Sequence, residues 1–487
     1  MSTSRIAFHV TAADADAELF LVDCDFALVA DEQGDRGIGD RTWLVEPGPY
    51  KVKARRGTAI REQVVLVRPG AETFAVPHIA FASPIPIPGT AWTHEHHMEL
   101  ARSTWAPRPG NLWITAREWT EAERSQKPIA EIDPSRGLSV LTLDGTAMPM
   151  EWRKTLGWEP IAIGMADVPP GPYRLHLDAP DRKPVEMMLT ISPECSTQVY
   201  LLTETPLPPD KRRVDLINGA ITIRLPGPRS DEAWQLEEIA RQALIDDRTK
   251  FSAFLKPEIL KDTATPMLSL FGAHLLVNEA RKQNERRKTD PSLPEIDHRD
   301  TVARVVERLR SQLGRDHPDV EALALGAGVG NPDYRFTVPP MLRGGWQRVL
   351  SESSRREDLC MRDSFAQKIW GQLWGDGPWL LWTEDALHSE EAWTERATLL
   401  LAQFLQTLPP EEEMTPTFMD SFRNYFIKPD LPGFPDVAAL RVNTPAAIPQ
   451  IDKERARKIL EDPEKRKALV KELGLPMNTI RDWLEKT

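Results

Sequence analysis

One string occurs twice in this sequence. Val45-Glu46-Pro47-Gly48-Pro49-Tyr50-Lys51-Val52 returns as Val168-Pro169-Pro170-Gly171-Pro172-Tyr173-Arg174-Leu175, 123 residues later. Further on, Val65-Leu66-Val67-Arg68-Pro69 matches Leu189-Thr190-Ile191-Ser192-Pro193 at an offset of 124. The one-residue change places an insertion in the hairpin between the two strings. Pro-Gly makes a turn, with Gly supplying a positive φ at no steric cost. The aromatic after it opens a strand whose alternate side chains face one core. Both copies then run into an apolar strand, Thr73–Val76 and Gln198–Leu202. A unit repeated in this way predicts two antiparallel β modules in tandem.

The surrounding runs agree. Short β-rich segments at Arg5–Val10, Glu18–Val29, Tyr50–Ala54, Gln63–Val67, Leu138–Leu143, Tyr173–Asp178 and Met187–Ile191 are separated by turn residues. Proline is in excess, 43 of 487 residues, about 9% against about 5% on average. Part of that excess lies in the repeated turns. The rest marks joints near 83–90, 205–209, 226–228 and 429–449, where alternating proline rules out helix.

The paired Pro-Gly-x-Tyr turns resemble the small β-sandwich modules called PEGA-like or carboxypeptidase-regulatory-like domains. The resemblance implies a spacer or docking role and names no ligand. It places module 1 at 1–82, a Pro/His-rich linker at 83–110 and module 2 at 111–205. A second linker, 206–230, holds a short strand at Ala220–Leu225.

From Ser230 the period becomes helical. Asp231–Asp246 is amphipathic. In Thr301–Leu313, Val302, Val305, Val306, Leu309 and Leu313 form one face, with Asp300 placed as the cap and Gly314 as the stop. Pro318 suits the first turn of a helix through Leu325. Further helices are expected at Pro257–Asp262, Met267–Asn284, Met341–Ser353, Arg362–Leu373, Ser389–Thr407 and Pro416–Tyr425. The fold class expected is therefore multidomain α+β: two β-sandwiches, an all-α domain at 231–428, a Pro-rich linker at 429–450 and a helical tail at 451–487. At 37 residues the tail is below the size that usually folds alone, so it reads as a docking element whose apolar contacts include Ile480, Trp483 and Leu484.

Charge narrows the partners. With 61 Lys+Arg against 73 Asp+Glu, a net −12, the chain is not one that coats nucleic acid or an anionic membrane. Its most apolar run, Met267–Val277, is well short of the roughly 20 residues of a membrane span. The three cysteines, Cys24, Cys195 and Cys360, form no CxxC pair and fit a reducing, cytoplasmic compartment.

Three strings in the helical half carry a second resemblance: Pro266–Leu276 (PMLSLFGAHLL), His317–Leu323 (HPDVEAL), and Pro339–Arg343 (PPMLR) before Trp346. They resemble a region of bacterial proteins that contain or accompany caspase-like and CHAT-type peptidases in defence systems. The catalytic His-Gly and Cys pair of such peptidases is absent from this sequence. The resemblance therefore implies a partner or substrate of a peptidase.

Candidate chemistry is sparse. Thr93–Glu99 packs His94, His96 and His97 with two carboxylates, and i, i+2 imidazoles converge on a metal when the segment is a strand. The segment is not HExxH, and its plainer reading is a polar inter-domain loop that happens to be His-rich. Gly326-Ala327-Gly328-Val329-Gly330 follows a helical pattern rather than a strand, so it reads as a helix end and not a nucleotide loop. Cys360 lies among arginines that could lower its pKa, but reads first as a semi-buried helical thiol. His274 sits inside an apolar helix. Trp370, Trp374, Trp379, Trp382 and Trp393 crowd into 24 residues; aromatics at this spacing read as core, and Trp379 and Trp382, after a Gly-Asp-Gly-Pro loop, are the pair that would instead be exposed protein-binding aromatics. Arg281–Lys288 reads as a solvated helix end and loop open to proteolysis.

The function expected is a non-catalytic adaptor or scaffold acting through protein–protein contacts, in a bacterial peptidase-linked defence or signalling system and with no cofactor. The alternatives are an effector or substrate activated by a caspase-like peptidase, and a metal-dependent hydrolase built on His94–His97.

Overall fold

A computed structural model describes residues 5–30, 37–57, 59–70, 72–87, 90–91, 111–117, 133–155, 160–179, 182–203, 213–226, 231–248, 251–353, 356, 358–361, 364–369 and 377–383. The chain divides into two compact units. One comprises Met1–Ser351 with Leu373–Glu384, the other Glu352–Gln372 with Asp385–Thr487. The described part is α+β.

The first sandwich has strands β1 (Ile6–Ala12), β2 (Glu18–Val22), β3 (Gly37–Ile38), β4 (Arg41–Val45), β5 (Gly48–Arg56), β6 (Ala59–Val67) and β7 (Glu72–Val76). One sheet has the order β4-β1-β7, the other β3-β2-β5-β6. Phe8, Val10 and Trp43 from the first sheet meet Leu19, Leu21, Val52 and Ala54 from the second in one core. Two short strands follow, β8 (Phe81–Ala82) and β9 (Thr90–Ala91), paired parallel.

The second sandwich has β10 (Asn111–Arg117), β11 (Leu138–Leu141), β12 (Glu151–Thr155), β13 (Ile161–Asp167), β14 (Gly171–Ala179), β15 (Arg182–Ile191), β16 (Ser196–Leu202), β17 (Ala220–Arg224) and, far along the chain, β18 (Leu381–Thr383). Its sheets have the orders β12-β13-β10-β16-β17 and β11-β14-β15-β18. The wiring repeats that of the first. β1 lies between antiparallel β4 and parallel β7, as β10 lies between β13 and β16. The ladder β2-β5-β6 recurs as β11-β14-β15. The inserted residue is a β-bulge. The β5–β6 pairs run unbroken from Gly48↔Val67 to Arg56↔Ala59, whereas the β14–β15 pairs slip between Leu177↔Val185 and Ala179↔Arg182. Asp178 thus opposes both Lys183 and Pro184, and Pro184, with no N–H to give, suits a bulge.

The repeated tyrosine has a further role. Tyr50 Oη donates to the Glu46 carbonyl at 3.0 Å, and Tyr173 Oη to the Pro169 carbonyl at 2.9 Å. Each hydroxyl reaches back four residues to close the turn that leads into its strand, in the manner of a tyrosine corner.

The helices are α1 (Asp231–Ile245), α2 (Ser252–Ile259), α3 (Pro266–Thr289), α4 (Arg299–Leu313), α5 (Pro318–Gly326), α6 (Arg343–Ser353) and α7 (Phe365–Lys368). Thr265 caps α3, its hydroxyl accepting from Leu268 N at 3.1 Å, and Pro266 fills the first position. α3 runs on to Thr289 with Arg286, Arg287 and Lys288 in the last turn, where cations complement the helix dipole. Arg281–Lys288 is therefore helix, not loop. α2 begins earlier than expected, with Pro257 inside it; burial of Phe251, Leu255 and Ile259 overrides the local proline signal. The residue before α4 is His298, not Asp300. The His298 ring meets Glu279 of α3 at 2.7 Å, which fixes the entry of α4.

Three expected boundaries change. The SPIPIP segment is no exposed linker: Ile85 and Ile87 are buried with Tyr200, Ala220 and Trp234, and Arg117 donates to the Ser83 and Pro84 carbonyls. The short strand at 220–224 is a fully buried fifth strand of one sheet of the second sandwich. The region expected to be all-α contributes β18 to that sandwich, with 12 residues of sequence between α7 and it.

Helix α1 joins the sandwiches to the other helices. Arg248, just past its end, meets Glu18 of β2 at 2.7 Å, while Gln235 accepts from Arg56 of β5. On the second sandwich, Arg241 donates to the Gly219 carbonyl and the Arg224 guanidinium lies 3.6 Å over Trp234. Gly57 makes the approach of α1 possible. Its φ is +57°, and a Cβ there would fall 2.0 Å from Gln242 Oε1. In the second unit, Leu359, Cys360, Ala366 and Ile369 are buried.

Candidate functional site

Each sandwich carries the same charged triad on the outer face of its second sheet. In the first, the register sets Lys53 opposite Glu62 and Lys51 opposite Val64. Glu62 pairs with Lys51 at 3.2 Å and with Lys53 at 3.4 Å. In the second, His176 lies opposite Glu186 and Arg174 opposite Met188. Arg174 Nη1 donates to both Glu186 oxygens at 2.9–3.0 Å, and His176 Nδ1 lies 3.0 Å from Oε1. Glu62 and Glu186 are 124 residues apart, the offset of the repeat.

The environments differ completely. Glu186 is 1% exposed. β18 pairs antiparallel with β15, sets Trp382 opposite Glu186, and donates its indole N–H to Oε2 at 2.8 Å. Burial raises the Glu186 pKa, but the bond from His176, the charge of Arg174 and the bond from Trp382 outweigh it and hold the carboxyl below its usual range. Met341 completes the cover, its sulfur accepting from Thr190 N. On the first sandwich the equivalent strand β6 is a sheet edge among the described residues. Ile60, Val64 and Leu66 are 54%, 70% and 59% exposed, whereas Met188 and Thr190, which align with Val64 and Leu66, are buried.

The cover is built by the three helical strings that drew the second resemblance. Asp319 of HPDVEAL is wholly buried and accepts from Met341 N at 3.0 Å and Leu342 N at 2.8 Å. That fixes the PPMLR segment, whose Met341 carbonyl accepts from Leu380 N, and Arg343 N donates to Pro378. Phe271 of the first string meets Trp379 edge-on at 6.1 Å. Burial pushes the Asp319 carboxyl up to about 6 against the opposing pull of those two amides. His317, buried beside it, is pushed down to about 3.

A second buried contact ties α3 to α6. Arg348 Nη1 lies 2.5 Å from His274 Nδ1, and Nη2 donates to Asn278 Oδ1 at 2.6 Å. Guanidinium has no acceptor, so Nδ1 accepts, and the ring is neutral with its hydrogen on Nε2. Burial and then the Arg348 charge keep His274 far below the usual histidine range. Gly326, the first glycine of the GAGVG run, lets Arg348 pass: a Cβ there would fall 2.4 Å from Arg348 Cδ. The run is the end of α5, as its pattern implied. His274 thus serves as an acceptor for arginine.

The expected interaction residues Trp379 and Trp382 are not exposed. Both are 0% exposed. Trp379 donates to the Gly219 carbonyl at 2.7 Å. A three-residue strand pairing with β15 turns the aromatics inward, and the loop composition before them does not register that. His94, His96 and His97 lie outside the described residues, as do Ile480, Trp483 and Leu484. Cys360 is buried, in line with the inert-thiol reading, and burial pushes its thiol up rather than down. Cys195 is buried and Cys24 exposed. Sequence reasoning missed the triads, although the repeat offset aligns Glu62 with Glu186 and carried the signal.

No described helix is long and apolar enough to cross a membrane. Among protein families, no family model matches this chain. No curated protein matches it either.

Proposed function

We propose that the chain is a non-catalytic adaptor, and that the outer face of its first sandwich is the docking surface. One observation carries the reading. Two copies of one module present the same face; among the described residues that face is covered in the second copy and is exposed, with Ile60, Val64 and Leu66 on it, in the first. Exposed apolar surface concentrated on one sheet face marks an interaction site. Behind it, α1 is bonded to both sandwiches. The setting, a bacterial system linked to a caspase-like or CHAT peptidase, rests on the resemblance of the three helical strings, and the tandem PEGA-like identity rests on the paired Pro-Gly-x-Tyr turns.

The test is affinity capture from the native host with the full-length chain and with the double variant Val64→Glu, Leu66→Glu. Both positions are exposed, so the variant should fold as the wild type does. Loss of specific captured proteins is expected. An unchanged set of captured proteins would show that this face does not dock them.

A further inference from the structure

Resting on that docking reading, we infer that β6 accepts an antiparallel strand from a partner protein. That strand carries a tryptophan opposite Glu62, flanked by an apolar residue and a threonine, with acidic residues beyond.

The second sandwich supplies the template. There the order is β14-β15-β18, and β18 sets Leu381, Trp382 and Thr383 opposite Met187, Glu186 and Val185. By the repeat, the aligned positions on β6 are Gln63, Glu62 and Arg61. The acceptor is in place. Glu62 is held by Lys51 and Lys53 as Glu186 is held by Arg174 and His176, and its side chain remains 43% exposed. The apolar seat is in place too, in Val64 and Leu66. A nine-residue edge with no proline presents backbone groups to an incoming strand, the arrangement that strand addition uses.

Two observations select the occupant. Cations outnumber anions at the edge: Lys51, Lys53 and Arg61 stand against Glu62, since Glu18 is already paired with Arg55 and Arg248. An acidic flank answers that excess, and Glu384-Asp385 follow the tryptophan-threonine pair of the chain's own covering strand. A second copy pairing through its own β6 does not fit, because Ala59–Val67 contains no ring N–H to bond Glu62.

The experiment uses the full chain and, as a probe, a peptide with the sequence of residues 378–386, PWLLWTEDA. Hydrogen exchange at 59–67 is followed as the peptide is titrated. Slowed exchange at 59–67 is expected. Glu62→Ala in the protein, or Trp382→Ala in the peptide, is expected to weaken the apparent Kd at least tenfold, with Glu62→Gln weakening it less. Slowing that ignores both substitutions overturns the tryptophan anchor and leaves the docking face standing. Absence of slowing at 59–67 overturns strand addition; the capture experiment with Val64→Glu, Leu66→Glu then decides the docking face independently. Slowing at 182–191 would mean that the peptide displaces β18, and protection of 59–67 that grows with protein concentration alone would place a second copy there. Either result overturns the proposal.

Discussion

Replacing Asp319 by asparagine should change the stability of the helical junction in a way that depends on pH. The wild-type carboxyl accepts two buried amides, from Met341 and Leu342, yet burial dominates and carries its pKa from 3.8 to about 6. A folded-state pKa above the unfolded one means that the native state holds the proton more tightly. The stabilisation is fully present below about pH 3.8 and is lost as pH rises through about 6. That difference is worth about 3 kcal/mol. Asparagine keeps one acceptor but turns an NH2 toward the second amide, at a cost of about 1–3 kcal/mol for the orphaned group, and this cost does not titrate. The variant should be the less stable at pH 4.5 and draw level with or pass the wild type by pH 8. His317, 3.9 Å away, is held neutral across this range by its own depressed pKa. The assay is hydrogen-exchange mass spectrometry on peptides covering 338–346, with variant and wild type compared at each pH so that intrinsic exchange cancels. The ratio of protection factors should move by about 30-fold between pH 4.5 and pH 8, because part of the full difference is already lost at pH 4.5. A ratio independent of pH would refute the burial reasoning. A variant that loses ground as pH rises would show that the amide bonds, not burial, set the carboxyl's pKa.

Two further outcomes follow from the sandwiches. Trp382→Phe keeps the buried ring and removes the N–H to Glu186, and should cost about 1.5–3 kcal/mol as a bond to a charged group. The loss should appear as faster exchange at 381–383, and should shrink to less than half in a Glu186→Gln background; an undiminished cost there would mean that the indole acts by packing alone. Tyr173→Phe should cost about 1 kcal/mol and lower the urea midpoint without changing the slope. Tyr50→Phe, whose hydroxyl bond is exposed, should cost less, and the reverse order would contradict a role for burial at the two corners.

How far the fold was legible depended on whether its signal was local. The repeat declared two sandwiches because Pro-Gly-Pro-Tyr fixes a turn, a corner bond and the first residue of a strand within a few positions. The bulge at Lys183 and Pro184 was visible as a one-residue slip between offsets. The apolar face of α4 spoke as clearly. Ile85 and Ile87 misled, because alternating proline excludes helix but does not say which side of the chain meets solvent. β18 was illegible for a stronger reason: three residues in a helical stretch become a strand only by pairing with β15, 196 residues away at the Trp382–Glu186 contact.

The same limit explains why the site itself was half visible. Lys51-Val52-Lys53 and Arg174-Leu175-His176 align, and so do Glu62 and Glu186, so the sequence records one charged pattern twice. It does not record that one copy lies under an indole and the other faces water. Two lysines hold a carboxylate adequately in solvent, where either charge can be hydrated. A buried carboxylate needs its remaining oxygen valence filled, and Trp382 fills it. The substitution of Arg174 and His176 for Lys51 and Lys53 fits this difference, because guanidinium and imidazole lose less hydration on burial than ammonium does. The first copy retains residues suited to a face that is wet for part of its existence. A strand that binds there reversibly, rather than a permanent cover, is what a lysine-held glutamate can accommodate without a standing desolvation cost.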